Sequence, residues 1–156
     1  YAKTIPALGV VTGGGVHSKV NSEGKYKWLF GTNPRYENHW HVSVFDYAGA
    51  APNTDITIYA LGISCKNGLI DIQRTLASNE TRGNHISQQT TLPAGMNIAG
   101  GGIWTVTLEG DGVLTRKFAP NMKNNSWESY SQDHAGRISK AYQTLWAIGL
   151  TAKGNW

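Results

Sequence analysis

An all-β fold, an antiparallel β-sandwich or barrel made of two homologous halves with pseudo-two-fold symmetry, is what this chain of 156 residues predicts. Three observations point there. First, the stretch Thr12-Gly13-Gly14-Gly15-Val16 returns 87 residues later as Ala99-Gly100-Gly101-Gly102-Ile103. At the same displacement Pro6-Ala7 falls on Pro93-Ala94, Trp40 on Trp127, Asp46 on Asp133, Ala48-Gly49 on Ala135-Gly136, and Tyr59-Ala60-Leu61-Gly62 on Trp146-Ala147-Ile148-Gly149. Self-similarity at a fixed period marks one structural unit used twice. Second, short apolar runs alternate with period two and are punctuated by Gly, Pro and Asn, the pattern of strands and turns. Third, charged residues are only 15% of the chain while Gly numbers 19, Trp 6 and Tyr 7, a balance unlike a helical bundle or a disordered tail.

A chain of this size typically buries ~70% of its unfolded surface, so one domain with an autonomous core is expected: repeat 1 over residues 1–69, a linker over 70–87, and repeat 2 over 88–156. Residues 5 to 12 read as a short apolar strand running into the glycines. The glycine triplets match neither GxGxxG nor GxxxxGK[ST], and Val16, Ser18 and Val20 alternate after the first, so they read as a strand bulge or sheet-packing glycines rather than a phosphate loop. Asn21 to Lys25 is a polar turn, and Tyr26 to Phe30 a strand closed by Gly31-Thr32-Asn33-Pro34. Its counterpart, Val113 to Phe118, is closed by Ala119-Pro120-Asn121, with the proline displaced by one place. His39 to Phe45 alternates, placing Trp40, Val42 and Val44 on one face and His39, His41, Ser43 and Phe45 on the other. Thr54 to Ile63 is the most strand-like run, and its twin is Thr144 to Thr151. In the linker, Leu69 to Ile72 could add a strand, while Ser78 to Ser87 reads as a loop. About four strands per repeat result, with Trp40 and Trp127 as the buried anchors of the two halves.

The glycine triplets, the central tryptophans and the closing Tyr59-Ala60-Leu61-Gly62 and Trp146-Ala147-Ile148-Gly149, together with Pro93-Ala94-Gly95, resemble a tandem β-repeat module of secreted bacterial proteins. The resemblance covers nearly the whole chain, and the first copy departs from it at Leu8, where the second has Gly95. It implies a secreted or cell-surface β module and carries no catalytic residue, cofactor or metal.

Side chains must therefore supply the functional reading. The single cysteine, Cys65, rules out an intrachain disulfide and reads as a structural thiol. No apolar run is long enough to span a membrane as a helix. A net charge of +4 from dispersed Lys and Arg gives no basis for a nucleic-acid partner. His39 and His41 share a strand face and have the spacing of metal ligands, but the second repeat lacks both, and exposed histidines are common on β surfaces. Asp46, Asp133 and His134 form the set a small hydrolase would need, although Asp before Ala-Gly also suits a turn.

The preferred expectation is a non-enzymatic carbohydrate-binding or adhesin module whose partner is a surface glycan or polysaccharide. Trp, Tyr, Asn, Asp and Gly supply flat stacking faces and short hydrogen-bonding groups. A structural or oligomerising tip of a larger surface protein is the rival, and a homo-oligomer fits either reading. Among the aromatics, Trp28, Tyr36, Tyr47, Trp104 and Tyr130 are not demanded by the repeat and are the surface candidates. The loops that diverge most between repeats place the ligand at Arg35, Tyr36, Asn38 and His39 in the first copy and at Asn124, Asn125, Arg137 and Lys140 in the second.

Overall fold

A computed structural model describes residues 2–7, 9–19, 27–36, 38–46, 55–64, 71–110, 112–133 and 138–153. They form β1 (Ala2–Pro6), β2 (Val10–Ser18), β3 (Lys27–Tyr36), β4 (His39–Asp46) and β5 (Ile56–Ile63), then β6 (Asp71–Gly83). The second repeat supplies β7 (Ile86–Thr91), β8 (Asn97–Glu109), β9 (Val113–Asn121), β10 (Ser126–Asp133) and β11 (Lys140–Lys153). Among the described residues each repeat thus has five strands rather than four. The extra one arises because residues 5 to 12 are not continuous: Gly9, at φ +74°, separates β1 from β2, and Gly95, at φ +83°, lies between β7 and β8. Only glycine takes that conformation without strain.

Every strand pairing is antiparallel. The strands make open sheets rather than a closed barrel: six strands in the order β1-β4-β3-β8-β11-β6, three in the order β7-β10-β9, and the ribbon β2-β5. The two repeats join edge to edge in the largest sheet, where Gly31 faces Trp104 and Thr32 faces Ile103.

Within each repeat the register is the same. Val10 pairs Ile63 and Gly14 pairs Ala60 in β2-β5; 87 residues on, Asn97 pairs Leu150 and Gly101 pairs Ala147 in β8-β11. The bulge at Thr12 recurs at Ala99. Likewise Pro34 pairs Trp40 and Pro120 pairs Trp127, so the displaced proline keeps its partner. A physical reason for the glycine triplet follows from the same register. A Cβ on Gly14 would be driven into the Trp40 indole, and one on Gly101 into the Trp127 indole, so the middle glycine of each triplet is the seat of its own tryptophan.

The linker departs from expectation. Ser78 to Gly83 is strand, not loop, because β6 pairs with β11 along its length, from Asp71↔Lys153 to Gly83↔Ala141. Its backbone donors and acceptors satisfy an edge of β11 that would otherwise be open.

The two repeats fill their interiors differently. In the first, Val11, Trp40, Val42 and Val44 form a buried apolar cluster against which Val16, Ile56, Ile58 and Ala60 pack. Trp40 is 1% exposed, and its indole N–H donates to Thr32 Oγ1 at 2.7 Å. At the equivalent places the second repeat has Ser129 for Val42, Ser131 for Val44 and Gln143 for Ile56. Fully buried Gln143 organises them. Its Oε1 accepts from Gln88 Nε2 (2.9 Å) and Ser129 Oγ (3.1 Å), and its Nε2 donates to Thr105 Oγ1 (3.0 Å) and Ser131 Oγ (2.8 Å). Four hydrogen bonds on one amide saturate what that side chain offers. Trp127 is correspondingly half-buried, not fully buried as expected: it packs at 5.2 Å from Phe118, and its buried Nε1 has no partner among the described residues.

Candidate functional site

The hairpin joining β3 to β4 carries the first group of sequence-selected residues. Tyr36 pairs His39 as the last rung of the ladder, and the register slips between Pro34 and Tyr36, leaving Arg35 as the extra residue of a bulge. Tyr36 is 60% exposed. Its ring meets that of His39 edge-on at 5.5 Å and 88°, and the Arg35 guanidinium carbon lies 6.0 Å from the ring centre. Asn38 Oδ1 is 2.6 Å from His39 Nδ1, and the Asn38 carbonyl accepts from Ala7 N at 2.7 Å, tying the tip to the end of β1. Arg35, Tyr36, Asn38 and His39 are therefore one cluster: an exposed aromatic flanked by a cation, an imidazole and an amide.

Asn124 and Asn125 sit on the turn between β9 and β10. Asn124 is exposed, and its backbone N–H donates to Asn121 Oδ1 at 3.3 Å. Asn125 turns inward at φ +47°, its Nδ2 donating to the Met96 carbonyl at 2.8 Å, while its own carbonyl accepts from Leu92 N at 3.0 Å. The antiparallel pairing of β3 with β8 sends the Tyr36 end of β3 toward the Asn97 end of β8, beside which Asn125 is bonded. Both hairpin tips thus lie at one end of the molecule.

Lys140 does not join them. It pairs with Glu109 at the far end of β8, their side chains 2.8 Å apart and both exposed. The 13 residues of β8 put ~40 Å of strand between that pair and the tips. Arg137, Tyr47, His134 and Cys65 lie outside the described residues, as do the side chains of Trp28 and Asp46. Of the other surface candidates, Trp104 is half-buried against Tyr142, whereas Tyr130 is partly exposed.

Tyr130 belongs to a feature that only partly shows in the sequence. Register places Ser87, Gln89, Lys117, Glu128 and Tyr130 on the outer face of β7-β10-β9, lining a shallow groove of about 340 Å³. Glu128 accepts from Lys117 Nζ and, at 2.6 Å, from Asn121 Nδ2. Those two bonds, Lys117 first, hold its carboxyl below the ordinary carboxylate range. Asn121 also anchors the Asn124 turn, so it links the groove's Glu128 to the tip by hydrogen bonds. The alternation of Ser126 to Tyr130 could have put Glu128 and Tyr130 on one face; their partner Lys117 depends on the register of β9. A second cleft, about 260 Å³ between β3, β8 and β9, is lined mainly by Leu29, Phe30, Ile103, Leu114 and Phe118, with threonine hydroxyls among them.

Asp133 caps the chain after it: Oδ1 accepts from Ser139 N at 3.1 Å and Oδ2 from Asn84 Nδ2 at 3.5 Å, with His85 Nε2 at 3.9 Å. Both ring nitrogens of His41 are engaged, Nδ1 with Thr4 Oγ1 (2.9 Å) and Nε2 with Ser43 Oγ (2.8 Å). Among the described residues no three His, Cys, Asp or Glu side chains gather as metal ligands would. Among the described residues no helix is long and apolar enough to cross a membrane.

Burial, and then the charge of Arg35, push the His41 pKa below 6.5. The sign follows: a folded state that resists protonation is at full strength above the unfolded value and loses stability as pH falls from there through the folded value. The melting temperature is expected to drop on acidification below about pH 6.5, and His41→Asn should flatten that slope. An unchanged slope in the variant would assign the acid loss to other groups.

No family model, curated protein or solved structure matches the chain. Its geometry defines an antiparallel all-β module with a polar, aromatic-bearing end.

Proposed function

We propose that the protein is a non-enzymatic carbohydrate-binding module of the secreted or cell-surface kind, its ligand a surface glycan seated at the hairpin end. The observation that carries this reading is Tyr36: a broadly exposed ring held in place on one edge by His39 and overlain at its side by Arg35. A fixed aromatic plane stacks against the apolar face of a pyranose with little ordering cost, and surrounding amides and cations take the hydroxyl or carboxylate groups. Arg35, Asn38 and His39 supply those groups beside the ring, and Asn124 and Asn121 extend the polar surface at the second tip toward the Glu128–Lys117 groove. The combination favours a hydroxylated or anionic glycan. Because both tips share one end, a polysaccharide could engage both, and two weak contacts on one body gain avidity on a repeating ligand.

A glycan-array screen tests the reading. Binding to a defined class of glycan is expected, and Tyr36→Ala should weaken it at least about tenfold, the loss of ~1.4 kcal/mol or more that a stacked ring supplies. Arg35→Ala should weaken it more for acidic glycans than for neutral ones. A folded protein that binds no glycan, or a hit untouched by Tyr36→Ala, would overturn the assignment.

A further inference from the structure

The two repeats present equivalent surfaces, yet the chain covers only one of each pair. On the second repeat, the glycine face of β8-β11 is filled by the first repeat. A Cβ on Gly100 would run into the Thr12 carbonyl, and one on Gly102 would lie 2.6 Å from Pro34 Cδ and 2.8 Å from Asn33 Cα. Ile148, beside Gly100, is fully buried and belongs to the cluster of Val11 and Trp40. The sheet ladder continues across this contact through Gly31↔Trp104 and Thr32↔Ile103.

The matching face of the first repeat is bare among the described residues. Gly13, Gly15 and Leu61 stand where the second repeat has Gly100, Gly102 and Ile148. A Cβ on Gly15 would meet nothing within 4 Å, and one on Gly13 only Leu61 Cδ1, at 3.7 Å. Leu61 is 63% exposed where Ile148 is 0%, and Tyr59 and Ile63 are exposed beside it. The donating side shows the same imbalance. Val11, Thr12, Asn33 and Pro34 are buried, whereas their register equivalents Ile98, Ala99, Ala119 and Pro120 are half-buried or exposed. The strand edges agree: β2 and β9 each lack a second strand partner among the described residues.

We propose that the Gly13–Gly15–Leu61 face of β2-β5 is the docking surface for a second copy of this chain. That copy seats Ile98, Ala99 and Pro120 of its second repeat there, as Val11, Thr12 and Pro34 are seated on β8-β11. The occupant follows from the complementarity already used inside the chain: in register, the receiving face keeps both glycines and an aliphatic side chain, and the donating face keeps its proline and the aliphatic residue at Val11 and Ile98. The ladder extends accordingly, Lys117 and Phe118 of the second copy facing His17 and Val16, as Gly31 and Thr32 face Trp104 and Ile103. Two different surfaces meet, so the contact is heterologous: repeated, it closes into a ring or grows as a filament. It uses none of Arg35, Tyr36, Asn38 or His39, and it meets the glycan surface only at Lys117, whose backbone joins the ladder and whose side chain lines the groove beside Glu128.

Sedimentation across a concentration series is the test. The full chain is expected to run as species heavier than its 17.0 kDa monomer. Gly15→Leu places a side chain where no described residue lies within 4 Å of the Cβ, and should leave the spectrum and melting unchanged while reducing the mass to one chain. Leu61→Lys is the second variant of that face, and Pro120→Arg blocks the opposite one. Mixing Gly15→Leu with Pro120→Arg should restore association but stop it at one pair, since each retains the face the other has lost. A wild-type monomer at every concentration, association that survives the substitutions, or a mixture that stays monomeric would each overturn the proposal.

Discussion

Trp40→Ala is expected to cost about 3–5 kcal/mol of stability, the range for removing a large aromatic from a packed core. Three features place it there. The indole is 1% exposed, its N–H is satisfied by Thr32, and it rests on the backbone of Gly14 at a spacing that admits no Cβ. The void left by truncation is walled by Val11, Val42, Val44 and Ile148 on several strands, so it cannot collapse by moving one side chain. Trp127→Ala should cost clearly less, because Trp127 is only half-buried and its Nε1 forms no bond to the described residues that truncation could remove. Urea titrations of the two variants side by side check this. Equal midpoints would show that the exposure of Trp127 does not lessen its contribution.

Gln143→Ile is expected to destabilise by about 2–5 kcal/mol, even though the first repeat carries Ile56 in the same register. The loss does not come from a smaller apolar contact. It comes from Ser129 Oγ, buried and left without its Gln143 Oε1 acceptor, and from Gln88 Nε2, buried and left with only its longer 3.5 Å bond to the Gln143 carbonyl, at ~1–3 kcal/mol each. The same substitution made together with Gln88→Leu, Thr105→Val, Ser129→Val and Ser131→Val should recover most of the loss, since the polar partners are removed with the hub. If the fivefold variant were less stable than the single one, steric fit rather than hydrogen-bond satisfaction would govern this interior.

These two interiors show how far the sequence could be read. Period-two alternation from His39 to Phe45 placed Trp40, Val42 and Val44 inward, and they are buried. The antiparallel all-β class followed from strand and turn patterning, which is local physics. Ser129, Ser131 and Gln143 were illegible as core residues because composition marks serine and glutamine as surface, and only the network among four strands makes their burial affordable. The same applies to β6: residues 78–83 have a polar, loop-like composition, and their strand conformation depends on the edge that β11 offers. At the candidate site, residues close in sequence were easily grouped, as at Arg35 to His39. Lys140 lies at the Glu109 end of β8, away from the tips; loop divergence says which loops vary, not which end of a strand they occupy.

The pairing of β6 with β11 changes what the segment between the repeats can tolerate. An ordinary connector accepts added residues at little cost, because lengthening a loop alters only its closure entropy. A segment held in continuous ladder from Asp71 to Gly83 obeys the parity of a sheet instead. Adding one residue inside it would exchange the two faces of everything beyond the insertion up to Gly83, whereas adding two would preserve the faces and shift the ladder by one rung pair. The spacing between the two halves is therefore quantised by backbone pairing.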